Sequence, residues 1–253
     1  MLVLKEEYFM AAKKEHNFVA ADGKTKEKAE QIKTEYKKAN GVGNSMPLRI
    51  GAVCCWVLAL LCEIFALRAF QGYPLIKSGL TTNTQMVAFL VIDLILVIVA
   101  AQLWKKANHI KPMSEKNKAL FWLWNNLGVV MCAICFIPFV ILVLANKDAD
   151  GKTKKLALIV AIVACLIGGV ASYDFNPVSQ EQLTAAENVL GEETVYWAPY
   201  GKVYHTHDDC QALNNTDTLT YGTVTEAIAA NRTKLCSFCA RRDDISGVVT
   251  DGE

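Results

Sequence analysis

From Tyr173 to Glu253 the chain has only 5 Lys/Arg against 13 Asp/Glu, a net charge of −8. So little positive charge excludes nucleic acid as an expected partner, because that affinity comes largely from neutralising phosphates. The same stretch has three cysteines, an odd and clustered set that is no disulfide framework. Met1-Leu2-Val3-Leu4 runs at once into Lys5-Glu6-Glu7, so no secretory leader is expected. Charged residues make up 20% of the chain, yet they are sparse from Pro47 to Val170, where long apolar runs dominate. That block pattern argues against a single water-soluble core.

What is present is apolar length. Hydrophobic residues are 53% of the 253. A bilayer core of ~30 Å needs roughly 20 apolar residues in a helix, and four runs qualify, at about 50–70, 86–104, 119–145 and 156–173. The third is long enough to tilt. The fourth reaches spanning length only when Ser172 and Tyr173 are counted. Phe70, Trp104, Trp122, Trp124 and Tyr173 mark span ends, and Trp and Tyr favour the interface. The expected fold is therefore an all-α region of four transmembrane helices, residues 46–173, between polar flanks.

Residues 1–45 mix Lys with Glu as a charged helical segment. One helix is expected over Leu4–Phe18, with Leu4, Tyr8, Ala11 and Ala12 as a stripe for the membrane or a partner protein. Asp22-Gly23 separates it from a second, Lys24–Lys38, where Glu27, Glu30 and Glu35 allow helical ion pairs. Lys33, Lys37, Lys38, Arg49, Lys105, Lys106, Lys111, Lys116 and Lys118 lie on one side of the spans. Six Lys/Arg lie on the other: Arg68, Lys77, Lys147, Lys152, Lys154 and Lys155. This bias places the N-terminus and the tail in the cytoplasm, where thiols also stay reduced.

Glu63 and Asp93 fall inside spans one and two. Counting ~1.5 Å per residue places them about 20 Å and 17 Å from the same membrane side. An ionisable group at that depth is a functional candidate: two carboxyls can share a proton or hold a cation. The structural alternative is that they are neutral and bond to neighbouring helices. Asn125 and Asn126 suit helix–helix hydrogen bonds. Cys132 and Cys135, deep in an apolar run, suit packing rather than redox chemistry.

In the tail, residues 174–193 are expected to form a helical spacer, with Ser179-Gln180-Glu181-Gln182 as a capping box and Gly191 as the stop. Thr194–His205 holds two β-rich runs around Pro199-Tyr200-Gly201, a hairpin with His205 at its end. A third β-like run covers Thr218–Tyr221. Thr223-Val224-Thr225-Glu226 caps a short helix that Asn231 ends. Cys236-Ser237-Phe238-Cys239 then makes a tight turn presenting two thiolates. With His205 and Cys210 they complete the four ligands zinc takes in a tetrahedral Cys3His site. His207 is the alternative nitrogen ligand. A fold this small needs such a staple. The zinc-binding domain is expected over 194–242 as a small α+β fold, with 243–253 as a flexible tail. Arg232, Lys234, Arg241 and Arg242 are near enough in sequence to offset the net −1 of a zinc bound by three thiolates.

At Gly201-x-x-Tyr204-His205, Cys210-x-x-Leu213, Glu226-Ala227 and Cys236-x-x-Cys239, the tail resembles the Ada-type zinc-binding module of bacterial alkylation-repair proteins. Related copies are appended to secreted nucleases and bacterial membrane proteins. The resemblance covers roughly 195–242 and implies the fold and one zinc ion. In the repair proteins the first metal position is a cysteine, and a metal-bound cysteine accepts a methyl group from a DNA phosphotriester. Here the first position is His205, and the module is acidic. Both departures speak against alkyl transfer and DNA binding. The leading expectation is a non-enzymatic, membrane-anchored zinc module for partner contact or sensing. The alternatives are an ion-coupled transporter using Glu63 and Asp93, and an Ada-like alkyl-transfer protein.

Overall fold

The computed structural model describes residues 16–21, 43–76, 79–191 and 193–252. Of the expected Leu4–Phe18 helix only residues 16–18 are among these, and its apolar stripe and the expected Lys24–Lys38 helix lie outside the described residues. The chain forms two compact units, residues 43–181 and residues 16–21 with 182–252.

The helical unit opens with α1 (Ser45–Phe70) and α2 (Thr82–Ile110). Asn44 caps α1 by accepting from Met46 N at 3.0 Å, and Pro47 sits in the first turn, where its missing N–H costs nothing. Thr81 caps α2, which ends one residue before Lys111-Pro112. Arg49 reaches the Lys111 carbonyl at 3.1 Å, and Gln85 reaches the backbone of Leu75 and Ile76. Contacts at both ends make α1 and α2 an antiparallel hairpin. Buried Gln85 closes the connecting turn with four hydrogen bonds, two accepted and two donated.

The third apolar run is not one helix. α3 (Lys118–Asn125) and α4 (Leu127–Ala145) meet at Asn126, whose φ of −105° and ψ of 22° leave the helical region. Asn125 and Asn126 donate their amides back to the Phe121 and Trp122 carbonyls, both at 3.0 Å, the local bonding that competes with helix continuation. Asn126 Oδ1 also accepts from Asp174 N at 3.1 Å, and Asn125 Oδ1 from Asn108 at 3.3 Å, so both tie segments together as expected. The fourth helix is longer than its apolar run. α5 (Gly151–Ser172) starts at Asp150, which caps Lys152 N and Thr153 N. Lysines then serve helix ends: Lys154 donates to the Leu144 and Asn146 carbonyls, and Lys105 to Ala171 O at 3.0 Å.

α1, α2, α4 and α5 are long and apolar enough to cross a membrane, and in each the most apolar stretch is only about a third buried by its neighbours. The inward residues are Met86, Leu90, Val97, Phe136, Phe139 and Val143 among many alanines. The outward ones are Ile, Leu and Val, with Leu166 and Val170 the most exposed on α5. Small residues let the backbones approach. A Cβ on Gly128 would meet Ala101 Cβ at 2.6 Å, and one on Gly168 would meet Cys132 Sγ at 2.8 Å.

In the second unit, β1 (Asn17–Ala20) pairs in parallel with β4 (Thr218–Gly222), and β2 (Val195–Trp197) runs antiparallel on β4's other side. Phe18 therefore lies in a strand, not at the end of a helix. Its side chain and Ala20 are buried, and the ladder with β4, 200 residues away, decides the conformation. β3 (Val203–Tyr204) returns from β2 as the expected hairpin and pairs with β5 (Lys234–Leu235). Helix α6 (Gln180–Leu190) ends at Gly191, φ +56°, as expected. It is more than a spacer: Ala186 and Leu190 are buried, and Glu187 accepts from Thr225 Oγ1 at 2.9 Å. Thr223 and Glu226 form the full capping box of α7 (Val224–Ala229), and Asn231 takes φ +66° after it. Of the expected flexible tail, 243–253, the described residues 243–252 are not a loose end. Leu235 N donates to Val249 O at 2.9 Å, Asp251 N donates to Leu235 O at 3.2 Å, and Val248 is buried, so the segment bridges to β5 through Leu235 and Thr250.

Candidate metal centre

His205, Cys210, Cys236 and Cys239 are all buried, and their donor atoms all lie within 4.8 Å of one another. Each is held by regular backbone. His205 follows β3 and exchanges both backbone bonds with Tyr196, at 2.7 and 2.8 Å. Cys210 begins a 3-10 turn, Gln211–Leu213, that buries Leu213 beneath it. Cys236 donates its N–H to Tyr204 O at 2.9 Å and caps α8 (Ser237–Arg242), which carries Cys239 one turn on. The β3–β5 pair thus sets His205 beside Cys236.

Cys210 Sγ and Cys236 Sγ are 3.9 Å apart, and Cys239 Sγ is 3.8 Å from His205 Nδ1. Zinc bonds of ~2.3 Å to sulfur and ~2.0–2.1 Å to nitrogen give tetrahedral edges of ~3.8 Å and ~3.6 Å. These two separations lie within a few tenths of an ångström of such edges, and the remaining pairs, all within 4.8 Å, close on a shared cation with shifts of about 1 Å or less. The backbone N–H groups of Phe238 and Cys239 point at the Cys236 sulfur, and that of Ala212 at the Cys210 sulfur, an arrangement that favours thiolates.

Without a cation the same burial opposes charge. It pushes the Cys210 and Cys236 thiols above their ordinary range. It pulls His205 down to about 4, against the opposing pull of Asp251. His205 is therefore a neutral ligand at pH 7, and a metal must displace thiol protons to bind.

His207 is not in the cluster. Its Nε2 bonds Asp243 at 2.6 Å, and Asp243 also accepts from Thr206, so the pair braces the loop that leads to Cys210. Among the nearby cations, Arg242 pairs with Asp209 at 2.7 Å and Arg241 stacks on Phe238 at 5.0 Å. Arg232 instead clamps the hairpin turn through the Ala198, Pro199 and Ala230 carbonyls. Asp251, which accepts from Ser237 N at 2.7 Å, was invisible as a site neighbour because a strand-like pairing, not sequence distance, brings it there.

Glu63 and Asp93 are both buried in the helical unit, Asp93 completely. Among the described residues neither Asp93 oxygen has a hydrogen-bond partner. Glu63, Cys62, Cys132 and Cys135 lie within its electrostatic reach. Compared with protein-family models, curated proteins and solved structures, the chain has no match in any of the three.

Proposed function

We propose that this chain is a multi-pass membrane protein whose tail holds one structural zinc ion through His205, Cys210, Cys236 and Cys239. The tail serves as a non-enzymatic module for contact with a partner protein or for sensing. The observation that carries this is four buried donors, one histidine and three cysteines, all within 4.8 Å of one another. With all four positions filled by protein, no place remains for an activated water. The Ada-type motif residues support the same metal and fold. His205 in the first ligand position and the −8 tail speak against the alkyl-transfer and DNA-binding reading. A cavity of about 280 Å³ lined by Cys210, Gln211, Phe238, Cys239 and the Asp209–Arg242 pair lies beside the cluster and gives a partner side chain or small ligand a place to bind next to it.

The β1–β4 ladder supports placing the N-terminal segment and the tail on one side of the membrane, as an even number of crossings requires. The Lys/Arg bias makes that side the cytoplasm. The test is metal analysis of the full chain in detergent. One zinc per chain is expected, lost in His205→Ala and Cys236→Ser. A metal-free chain with an unchanged melting transition refutes the reading.

A second reading, ion coupling within the helical unit, is favoured by the fully buried Asp93, whose oxygens have no partner among the described residues. Proton flux in proteoliposomes that Asp93→Asn and Glu63→Gln leave intact excludes it.

A further inference from the structure

Arg49 lies in the second turn of α1, where the first apolar span begins. Its guanidinium carbon sits 5.7 Å from the Trp104 ring centre and 5.4 Å from that of Trp124, so it is stacked against two indoles. The indoles are themselves fixed, since Trp104 Nε1 and Asn108 Nδ2 both donate to the Trp124 carbonyl, at 2.8 and 3.2 Å. One guanidinium nitrogen, Nη2, donates to Lys111 O at 3.1 Å and approaches Asn108 Oδ1 at 3.5 Å. Among the described residues Nε is buried without a partner. A cation so positioned, with a donor to spare, is organised for an anion.

A cavity of about 270 Å³ lies against it, lined by Arg49, Lys111, Pro112, Met113, Ser114, Trp124 and Gln180. Two of the seven are cationic and none is acidic. The neighbouring carboxylate, Glu181, accepts from the Ser114 hydroxyl and from Glu115 N at 3.0 Å, so it is committed to the loop. The cavity falls just below the ~300–1,000 Å³ typical of pockets for drug-sized ligands. That suits a headgroup rather than a whole lipid. It sits where α1 begins and α2 ends, beside Trp124, at the level where headgroups meet spanning helices.

We propose that this cavity binds the phosphate of an anionic phospholipid, with Arg49 as its principal donor and Lys111 as the second cation. The source is the bilayer rather than free phosphate, because the pocket adjoins the apolar faces that hold acyl chains.

The test uses the full chain in mixed micelles, with lipid retention read by native mass spectrometry. Its arms are phosphatidylglycerol, phosphatidylcholine and inorganic phosphate. A generic basic belt loses about fivefold per cation removed, whereas a hydrogen-bonded, charge-assisted contact loses tenfold or more. Arg49→Gln and Arg49→Lys should therefore each lower phosphatidylglycerol retention more than tenfold, and Lys118→Gln fivefold at most. Met113→Trp fills the cavity while leaving the guanidinium clamp, and it should by itself lower phosphatidylglycerol retention more than tenfold, whether or not the arginine variants fold. Equal retention of the two lipids overturns the proposal, as does an equal fall in the Arg49 and Lys118 variants, or no loss in Met113→Trp. Phosphate bound as tightly as phosphatidylglycerol overturns the choice of lipid.

Discussion

Zinc affinity of the tail should fall steeply with acid, and the structure sets the slope. Cysteine thiols titrate at ~8.5 in water, and burial pushes Cys210 and Cys236 higher still. Below pH 8, binding a cation at this site therefore releases about three protons. His205, held down to about 4 by burial, adds no proton until the medium approaches that value. The sign follows: protons compete with the metal, so affinity drops as pH falls. Three protons correspond to a thousandfold, or ~4 kcal/mol, per pH unit. Between pH 7 and pH 5 the site loses ~8 kcal/mol of the ~10–16 kcal/mol that structural zinc contributes in small domains. The assay is competition of the full chain against a chelator of known proton affinity across that range, with zinc measured in the protein fraction. A log-affinity slope near three supports the Cys3His set. A slope of one or less refutes it, because it means that most of the thiols do not ligate.

Four further outcomes are expected. In the metal-free chain His205 binds its proton less readily folded than unfolded, so stability should be full above pH 6.5 and fall by ~3 kcal/mol as pH drops to about 4; chemical denaturation at several pH values reads this. Gly128→Val should destabilise the helical unit by ~1–3 kcal/mol, because even a Cβ meets Ala101 at 2.6 Å. Phe18→Ala should cost the tail unit about 3 kcal/mol by removing a buried ring from β1, seen as earlier proteolytic cutting near Thr218–Gly222. Thr223→Ala should cost ~1 kcal/mol through loss of the capping box of α7.

Several elements were legible because their causes are local. The capping residues of α7, the stops at Gly191 and Asn231, and the hairpin turn follow from backbone chemistry within a few residues. The break at Asn126 carried a local signal too, two adjacent side chains that bond their own backbone. It was masked by the apolar run around it. The start of α5 was missed because its first turn is lysine-rich, and hydropathy ignores an Asp cap and side chains that reach carbonyls.

Sequence alone determined what composition and spacing can determine. Four apolar stretches long enough for a bilayer, and four candidate metal ligands around a capped helix, follow from residue type and interval. Only the tertiary structure decided which distant segments meet. It made Asn17–Ala20 a strand, folded residues 248–251 back onto β5 beside the ligands, and turned His207 toward Asp243 instead of the cluster. It also clamped Arg49 between two tryptophans contributed by α2 and α3. These outcomes depend on ladders and packing between residues tens to hundreds of positions apart, and no local propensity encodes such pairings.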